Sequence, residues 1–329
     1  MKQPKIVAIG GGTGLSVLLK GLKRYTSQIT AIVSVGDDGG SSGTIREDMG
    51  ILPPGDLRNC INALANTEPM MQKLMEYRFK EGNVNGHSLG NLIIAAMTDV
   101  YGGFDEAIRH ISSFLAVTGQ VLPVTLDDMV LFGEFENGEI IKGESKITKY
   151  QLESGSKIIR VYTKPDSCVP LQDAIDAIKE ADVIILGPGS LYTSLIPNLL
   201  VRDMGRAISE SGAIKVYVAN IMTQPGETCG YSFEDHLTEI YKHCADIRLD
   251  YGLVNSEKIP EDILKRYKSE GAEPIFLNEG VTEIHGIKPL PRNVLRIDNG
   301  YVRHDYIALA EIIIELCKSK INYTLMEEE

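Results

Sequence analysis

Residues 5–14, Lys-Ile-Val-Ala-Ile-Gly-Gly-Gly-Thr-Gly, leave the chain few ways to fold. An apolar run rich in β-branched residues reads as a strand. The four glycines that follow within five positions, and the helically spaced Leu15-Ser16-Val17-Leu18-Leu19, make it a strand entering a helix through a phosphate-cradling turn. Glycines let the backbone take φ > 0 and bring N–H groups up to a ligand with no Cβ in the way, so an anion is the natural guest of Gly11, Gly12, Thr13 and Gly14. The turn departs from the dinucleotide fingerprint. G-x-G-x-x-G counted from Gly10 requires glycine where Leu15 stands, and no G-x-x-x-x-G-K-[ST] occurs. A generic nucleotide site is expected, with NAD at most an incidental dinucleotide.

Three further loops have the same character. The apolar stretch 29–35 runs into Gly36-Asp37-Asp38-Gly39-Gly40-Ser41-Ser42-Gly43, which puts Gly40, Ser41 and Ser42 where the first glycine turn would be joined by a second. Asp37 lies about 20 residues beyond the first glycines, where a dinucleotide fold carries its ribose-binding acid. Asp37 and Asp38 together are alternatively a Mg²⁺ site completed by water and phosphate, and Asp-Gly is also ordinary turn chemistry. Pro53-Pro54-Gly55-Asp56-Leu57-Arg58-Asn59 reads as a loop with Asp56 capping a helix. Arg58 in that helix's first turn opposes the helix dipole, which marks it as a candidate phosphate ligand or the partner of a nearby carboxylate.

Gly86-His87-Ser88-Leu89-Gly90 matches the serine-hydrolase elbow G-x-S-x-G, but the elbow needs a hydrophobic strand before the serine. Here the preceding residues are Lys80-Glu81-Gly82-Asn83-Val84-Asn85. What remains is a glycine-flanked entry to an apolar helix, with Ser88 and Asn91 offering donors to an anion or simply capping the helix. Later, Val183-Ile184-Ile185-Leu186 delivers Gly187-Pro188-Gly189-Ser190-Leu191-Tyr192-Thr193-Ser194, in which Gly189, Ser190 and Thr193 are candidate phosphate partners.

Repeated strand, glycine loop and helix imply an α/β fold with a doubly wound, mostly parallel sheet that gathers these loops at one rim. From Gln120 to Thr163 the pattern changes to apolar-polar alternation around Asn137-Gly138, a strong hairpin signal. We expect an antiparallel β insertion at 120–165 within a nucleotide-binding core made of 1–119 and 166–329. Further expectations are a capped helix from Ser232, a strand over 250–255, a helix over 261–269, an edge strand over 294–298 and a closing helix from about Asp305.

Lys plus Arg (33) against Asp plus Glu (45) gives a net charge of −12, which disfavours nucleic acid or an anionic membrane as the main partner. No apolar run approaches the roughly 18 residues that span a bilayer, and strand one begins without a signal-peptide core, so a cytoplasmic location is expected. Five dispersed cysteines without C-x-x-C fit reduced thiols, and six histidines without H-x-H or H-x-x-x-H spacing make a histidine metal site improbable.

The five loops together, Gly10 to Gly14, Gly36 to Gly43, Pro53 to Asn59, Gly86 to Asn91 and Gly187 to Pro197, resemble the family that contains the phospholactate transferase of deazaflavin-coenzyme synthesis and the bacterial gluconeogenesis factors. The resemblance covers nearly the whole chain. Val302-Arg303-His304-Asp305 and the region of Tyr267 resemble the gluconeogenesis-factor branch. That resemblance implies a Rossmann-like cytoplasmic protein that binds UDP-sugars such as UDP-N-acetylglucosamine and supports cell shape and wall synthesis on gluconeogenic carbon. It also implies a homodimer and a cell-wall regulatory protein as partner, with Tyr267 and Arg303 at the ligand. The transferase relatives supply a second expectation, a Mg²⁺-dependent phospholactyl transferase.

Overall fold

The computed structural model describes residues 3–327, with side chains described to residue 318. Strand β1 (Ile6–Gly10) enters helix α1 (Gly12–Leu22), and β2 (Ile29–Val33) leads into α2 (Gly40–Met49). Four more helices follow, α3 (Gly55–Leu64), α4 (Pro69–Glu76), α5 (Leu89–Tyr101) and α6 (Phe104–Phe114), before β3 (Gln120–Pro123). Every residue of β1 and β2 is buried, as expected of β-branched strands covered on both faces by crossover helices.

β1 pairs in parallel with β2, and β2 with β3, so the chain first winds outward on one flank. Here the expectation for the insertion is corrected. Gln120–Pro123 is a parallel edge strand of the main sheet, with Gln120 exposed and the next three residues buried. Alternation in this short stretch reflects an edge position, where one end of the strand meets water, and not an antiparallel hairpin.

The antiparallel part begins with β4 (Val130–Phe135) and β5 (Ile140–Lys142), joined through Asn137-Gly138 with Gly138 at φ +86°. β6 (Ile158–Lys164) pairs antiparallel on the other side of β4. Between β5 and β6 stands helix α7 (Glu144–Ser154), which the alternating pattern did not disclose because Ile147 is the one side chain it buries.

The chain returns through α8 (Gln172–Glu180) to β7 (Val183–Leu186), which pairs in parallel with β1 on the flank opposite β2. A π-helical turn (Leu191–Leu195) continues into α9 (Ile196–Leu200), then come α10 (Met204–Glu210) and β8 (Ile214–Val218). Helix α11 (Phe233–His243) opens with the cap expected at Ser232, which Asp235 completes into a full capping box, and β9 (Tyr251–Asn255) and α12 (Glu261–Ser269) stand where the sequence places them. β10 (Lys288–Arg292) completes the seven-stranded parallel sheet in the order β10-β9-β8-β7-β1-β2-β3. Pro289 and Pro291 are tolerated because β10 is an edge strand with one neighbour.

Residues 295–298, expected at the sheet edge, form instead β11 (Leu295–Asp298) of a separate hairpin with β12 (Tyr301–His304). Its turn is Asn299-Gly300, with both residues at positive φ, the same signal as Asn137-Gly138. Helix α13 (Tyr306–Glu327) follows Asp305, whose Oδ1 accepts the N–H groups of Ile307 and Ala308. The architecture is α/β and Rossmann-like, and among the described residues no helix is long and apolar enough to cross a membrane.

α1 lies against α13 through Gly21. A Cβ there would overlap the Tyr306 carbonyl oxygen and stand 3.0 Å from Ala310 Cβ. Gly21→Val is expected to force the two helices apart and lower stability by about 1–3 kcal/mol, read from the urea midpoint.

Candidate functional site

Parallel strands deliver their following loops to one rim, and the winding reverses between β1 and β7, so a crevice opens there. After β1, Gly12 takes φ +68° and begins α1, and the N-cap Gly11 brings no side-chain oxygen to the first-turn amides. After β7 come Gly189 and Ser190, and after β8 Asn220, Ile221, Met222 and Gln224. With Tyr267 and Val302–His304 these line a cleft of about 330 Å³. The turns touch. A Cβ on Gly14 would stand 2.6 Å from the Pro188 carbonyl oxygen, and one on Gly11 would stand 2.7 Å from Asp56 Oδ2.

One buried carboxylate organises the β7–β8 side. Glu227 accepts from Thr193 Oγ1 at 2.7 Å, Gln224 Nε2 at 3.0 Å and the Tyr192 N–H at 3.1 Å. Gln224 Oε1 in turn accepts the Ser190 hydroxyl at 2.7 Å, so Ser190 is held at the cleft while Thr193 is spent on Glu227 and lies outside the lining. Asn220 Nδ2 donates to the Gly189 carbonyl, and Asn198 Nδ2 to those of Gly10 and Ser194.

On the far wall the Tyr267 hydroxyl accepts the Val302 N–H at 2.9 Å, which ties α12 to the strand that carries Arg303. Arg303 Nη1 donates to the Val302 carbonyl, and the guanidinium lies 5.2 Å from the Tyr301 ring centroid; Asp305 caps α13 and does not pair with it. His304 Nε2 donates to the Ala219 carbonyl at 3.0 Å. Burial lowers its pKa to about 4, so it is neutral at pH 7 and its Nδ1 is an acceptor.

Most of the remaining candidates gather at the same rim but in a second chamber, of about 250 Å³, lined by Asp37, Gly40, Ser41, Ser42, Asp56, Arg58 and Asn91 among others. The helices that begin there, α2, α3 and α5, have no side-chain cap. Asp56 is therefore not the N-cap expected of it. Pro54 holds that position, and Asp56, inside the first turn, accepts a hydrogen bond from the backbone of Gly12. Arg58 is 7% exposed and donates to Asn91 Oδ1 at 3.0 Å and Asn59 Oδ1 at 2.7 Å, with Nε unpartnered among the described residues. Burial and then the Arg78 charge lower its pKa, against the pull of Asp56, Glu76 and Asp37.

Gly90 is needed beneath this arginine, because a Cβ would stand 2.7 Å from Arg58 Cδ and 2.6 Å from the Met75 carbonyl oxygen. Packing thus explains the second glycine of the G-x-S-x-G match. Ser88 is fully buried and donates to the Met75 carbonyl, while its N–H and Asn91 Nδ2 both donate to Ser41 Oγ at 3.2 Å. Ser88 therefore serves this network and lines neither chamber.

The two aspartates diverge. Asp37 Oδ1 accepts the Gly39 N–H, and its carboxylate lines the second chamber, apart from the cleft where a ribose was expected. Asp38 Oδ1 accepts the Ser145 N–H of α7, and Oδ2 packs on Gly143. Asp37 and Asp38 thus turn to different partners, and no group of three or more potential ligands is arranged for a metal among the described residues.

Sequence reading also missed Glu144, in the first turn of α7. Burial, and then the charges of Asp37, Asp56, Glu227 and Asp38, hold its pKa well above the ordinary glutamate range. Its neighbours Gly143, Ser145 and Lys146 carry no signal of a site, and only the fold brings it to the rim. His304, Gln224 and Glu227 were missed for the same reason, since their partners lie far away in sequence.

This is a Rossmann-like α/β protein with a glycine-built cleft at its switch point. The family model of the 2-phospho-L-lactate transferase CofD matches residues 6–295. A putative gluconeogenesis factor of Thermoanaerobacterium thermosulfurigenes is 53% identical over 95% of this chain and 97% of its own. The gluconeogenesis factor of Bacillus subtilis is 45% identical over 96% and 99%. A crystal structure of a Bacillus halodurans protein matches with TM-score 0.90 and 45% identity, covering 95% of this chain and all of that one. The chain belongs to the gluconeogenesis factor family and matches the CofD family model over most of its length.

Burial, and then the Asp37 charge, raise the Asp56 pKa from 3.8 to about 6, opposed by the Gly12 hydrogen bond and Arg58. The folded state therefore holds this proton more tightly than the unfolded state. The stabilisation is complete below the unfolded value and is lost as pH rises through the folded one. Asp56→Asn should stabilise the protein relative to wild type by on the order of 2 kcal/mol at pH 8, and by less at pH 5, in paired urea titrations.

Proposed function

We propose that the cleft binds a nucleotide-sugar of the UDP-N-acetylglucosamine type and that the protein acts chiefly as a binding or regulatory protein. The observation that carries this reading is the uncapped start of α1, set across a cleft of about 330 Å³ from Tyr267 and Arg303. Free first-turn amides and the positive end of a helix dipole suit a diphosphate. Gly11–Gly14 and Ser190 take the phosphates, Arg303 supplies a charge-assisted clamp, and Tyr267 supports the base or sugar. The volume falls within the range of small-molecule sites. On this reading the protein works in the cytoplasm as a homodimer, addresses a cell-wall regulatory protein, and supports cell shape and wall synthesis during growth on gluconeogenic carbon.

Arg303→Ala should weaken UDP-N-acetylglucosamine binding about 10- to 100-fold by isothermal titration, since a hydrogen bond to a charged group contributes about 1.5–3 kcal/mol. Unchanged affinity would take Arg303 out of the site, and no heat with any uridine nucleotide would defeat the reading.

The match to the transferase family model favours one second reading, a phospholactyl transferase-like enzyme. Its magnesium dependence then rests on Asp37 without Asp38. Formation of the phospholactyl product from a guanylyl-lactyl donor and a deazaflavin acceptor, with loss of that product in Asp37→Asn, distinguishes it from binding without turnover.

A further inference from the structure

Behind the cleft runs a groove of about 580 Å³ between α1, the ends of α3 and α4, and the β11–β12 hairpin. Lys20 at the end of α1 and Lys23 and Arg24 just beyond it share it with Arg296 and Arg303 of the hairpin, and Asp298 is the one carboxylate in its lining. Five cations to one acid in a chain of net charge −12 is a local inversion of the protein's charge. None of the five is in an ion pair among the described residues. Lys23 Nζ donates to the Ala65 carbonyl at 2.9 Å, Arg296 lies 5.6 Å from the Tyr306 ring centroid and Arg303 is over Tyr301. Within the lining Asp298 alone offsets their mutual repulsion, and a bound anion would relieve the rest.

A second observation points the same way. Asn62 is 6% exposed, contributes to the lining, and its Nδ2 has no acceptor among the described residues. A half-turn of the amide interchanges its nitrogen and oxygen, so this donor can serve an oxygen in the groove.

We propose that this groove binds a phosphorylated small molecule bearing two or more negative charges, at a site separated from the nucleotide cleft by the shared wall of Arg303 and His304. Concavity and volume favour a small molecule over an acidic protein segment, which would need a broader surface.

The probe is inorganic pyrophosphate, titrated calorimetrically into wild type and into the double variant Lys20→Gln, Arg296→Gln, with UDP-N-acetylglucosamine titrated in parallel. Both substituted residues are exposed and lie outside the cleft lining. Wild type should show saturable pyrophosphate binding at a site weakened at least tenfold, or lost, in the variant, while the nucleotide-sugar isotherm is the same for both proteins. Equal pyrophosphate binding in the two proteins would place the anion at the rim and overturn the proposal, as would the absence of saturable binding. Displacement of pyrophosphate by a lower concentration of oligoglutamate would assign the groove to an acidic peptide and also overturn it. Failure of the nucleotide-sugar to bind wild type would reject the reading of the cleft alone, because the pyrophosphate comparison stands without it.

Discussion

Contact between two glycine turns governs the rim of this protein. Gly14 lies so close to the Pro188 carbonyl that no side chain fits between them, and Gly11 lies equally close to the Asp56 carboxylate. That closeness follows from the pairing of β1 with β7, which brings the ends of two strands from opposite flanks into register. The buried ladder of hydrogen bonds around Glu227 then fixes the β7 loop, and the Asn198 amide ties it back to Gly10. Cleft geometry is thus set by the backbone, and the side chains mainly hold the backbone in place.

The electrostatics of the rim contain an opposition. Uncapped helix starts and arginines attract anions, yet Asp37, Asp56, Glu144 and Glu227 stand among them. Burial eases the conflict by favouring the neutral form of Asp56, Glu144 and Glu227. A protonated carboxyl donates a hydrogen bond where a carboxylate would repel, so the same residues are compatible with a phosphate or a sugar hydroxyl.

Much of the fold was legible because its signals are local. The strand and glycine turn at residues 5–14, the Ser232 cap and the helix at 261–269 each depend on neighbours within a few positions. Three features escaped for different reasons. Gln120–Pro123 looks like part of a hairpin until β2 is placed beside it, α7 buries too little to show a helical period, and the β11–β12 hairpin carries a local signal, Asn299-Gly300, that the expectation of an edge strand passed over. For the site, residue types were informative but destinations were not. Thr193 and Ser88 carry hydroxyls beside glycines as a ligand-binding residue would, but each donates to a protein acceptor known only from the packing. The expectation of a common lip also simplified what the chain builds, since the turns share a rim but serve two chambers divided near Asp56.

The small antiparallel module is anchored to both flanks of the sheet. Asp38, after β2, receives the Ser145 N–H, and Gly226, after β8, packs on Thr148 of the same helix. Its sequence is consequently not free to drift on its own. A chimera that exchanges this module between homologues inherits a seam at Asp38 and another at Gly226, and both sides of each seam must travel together.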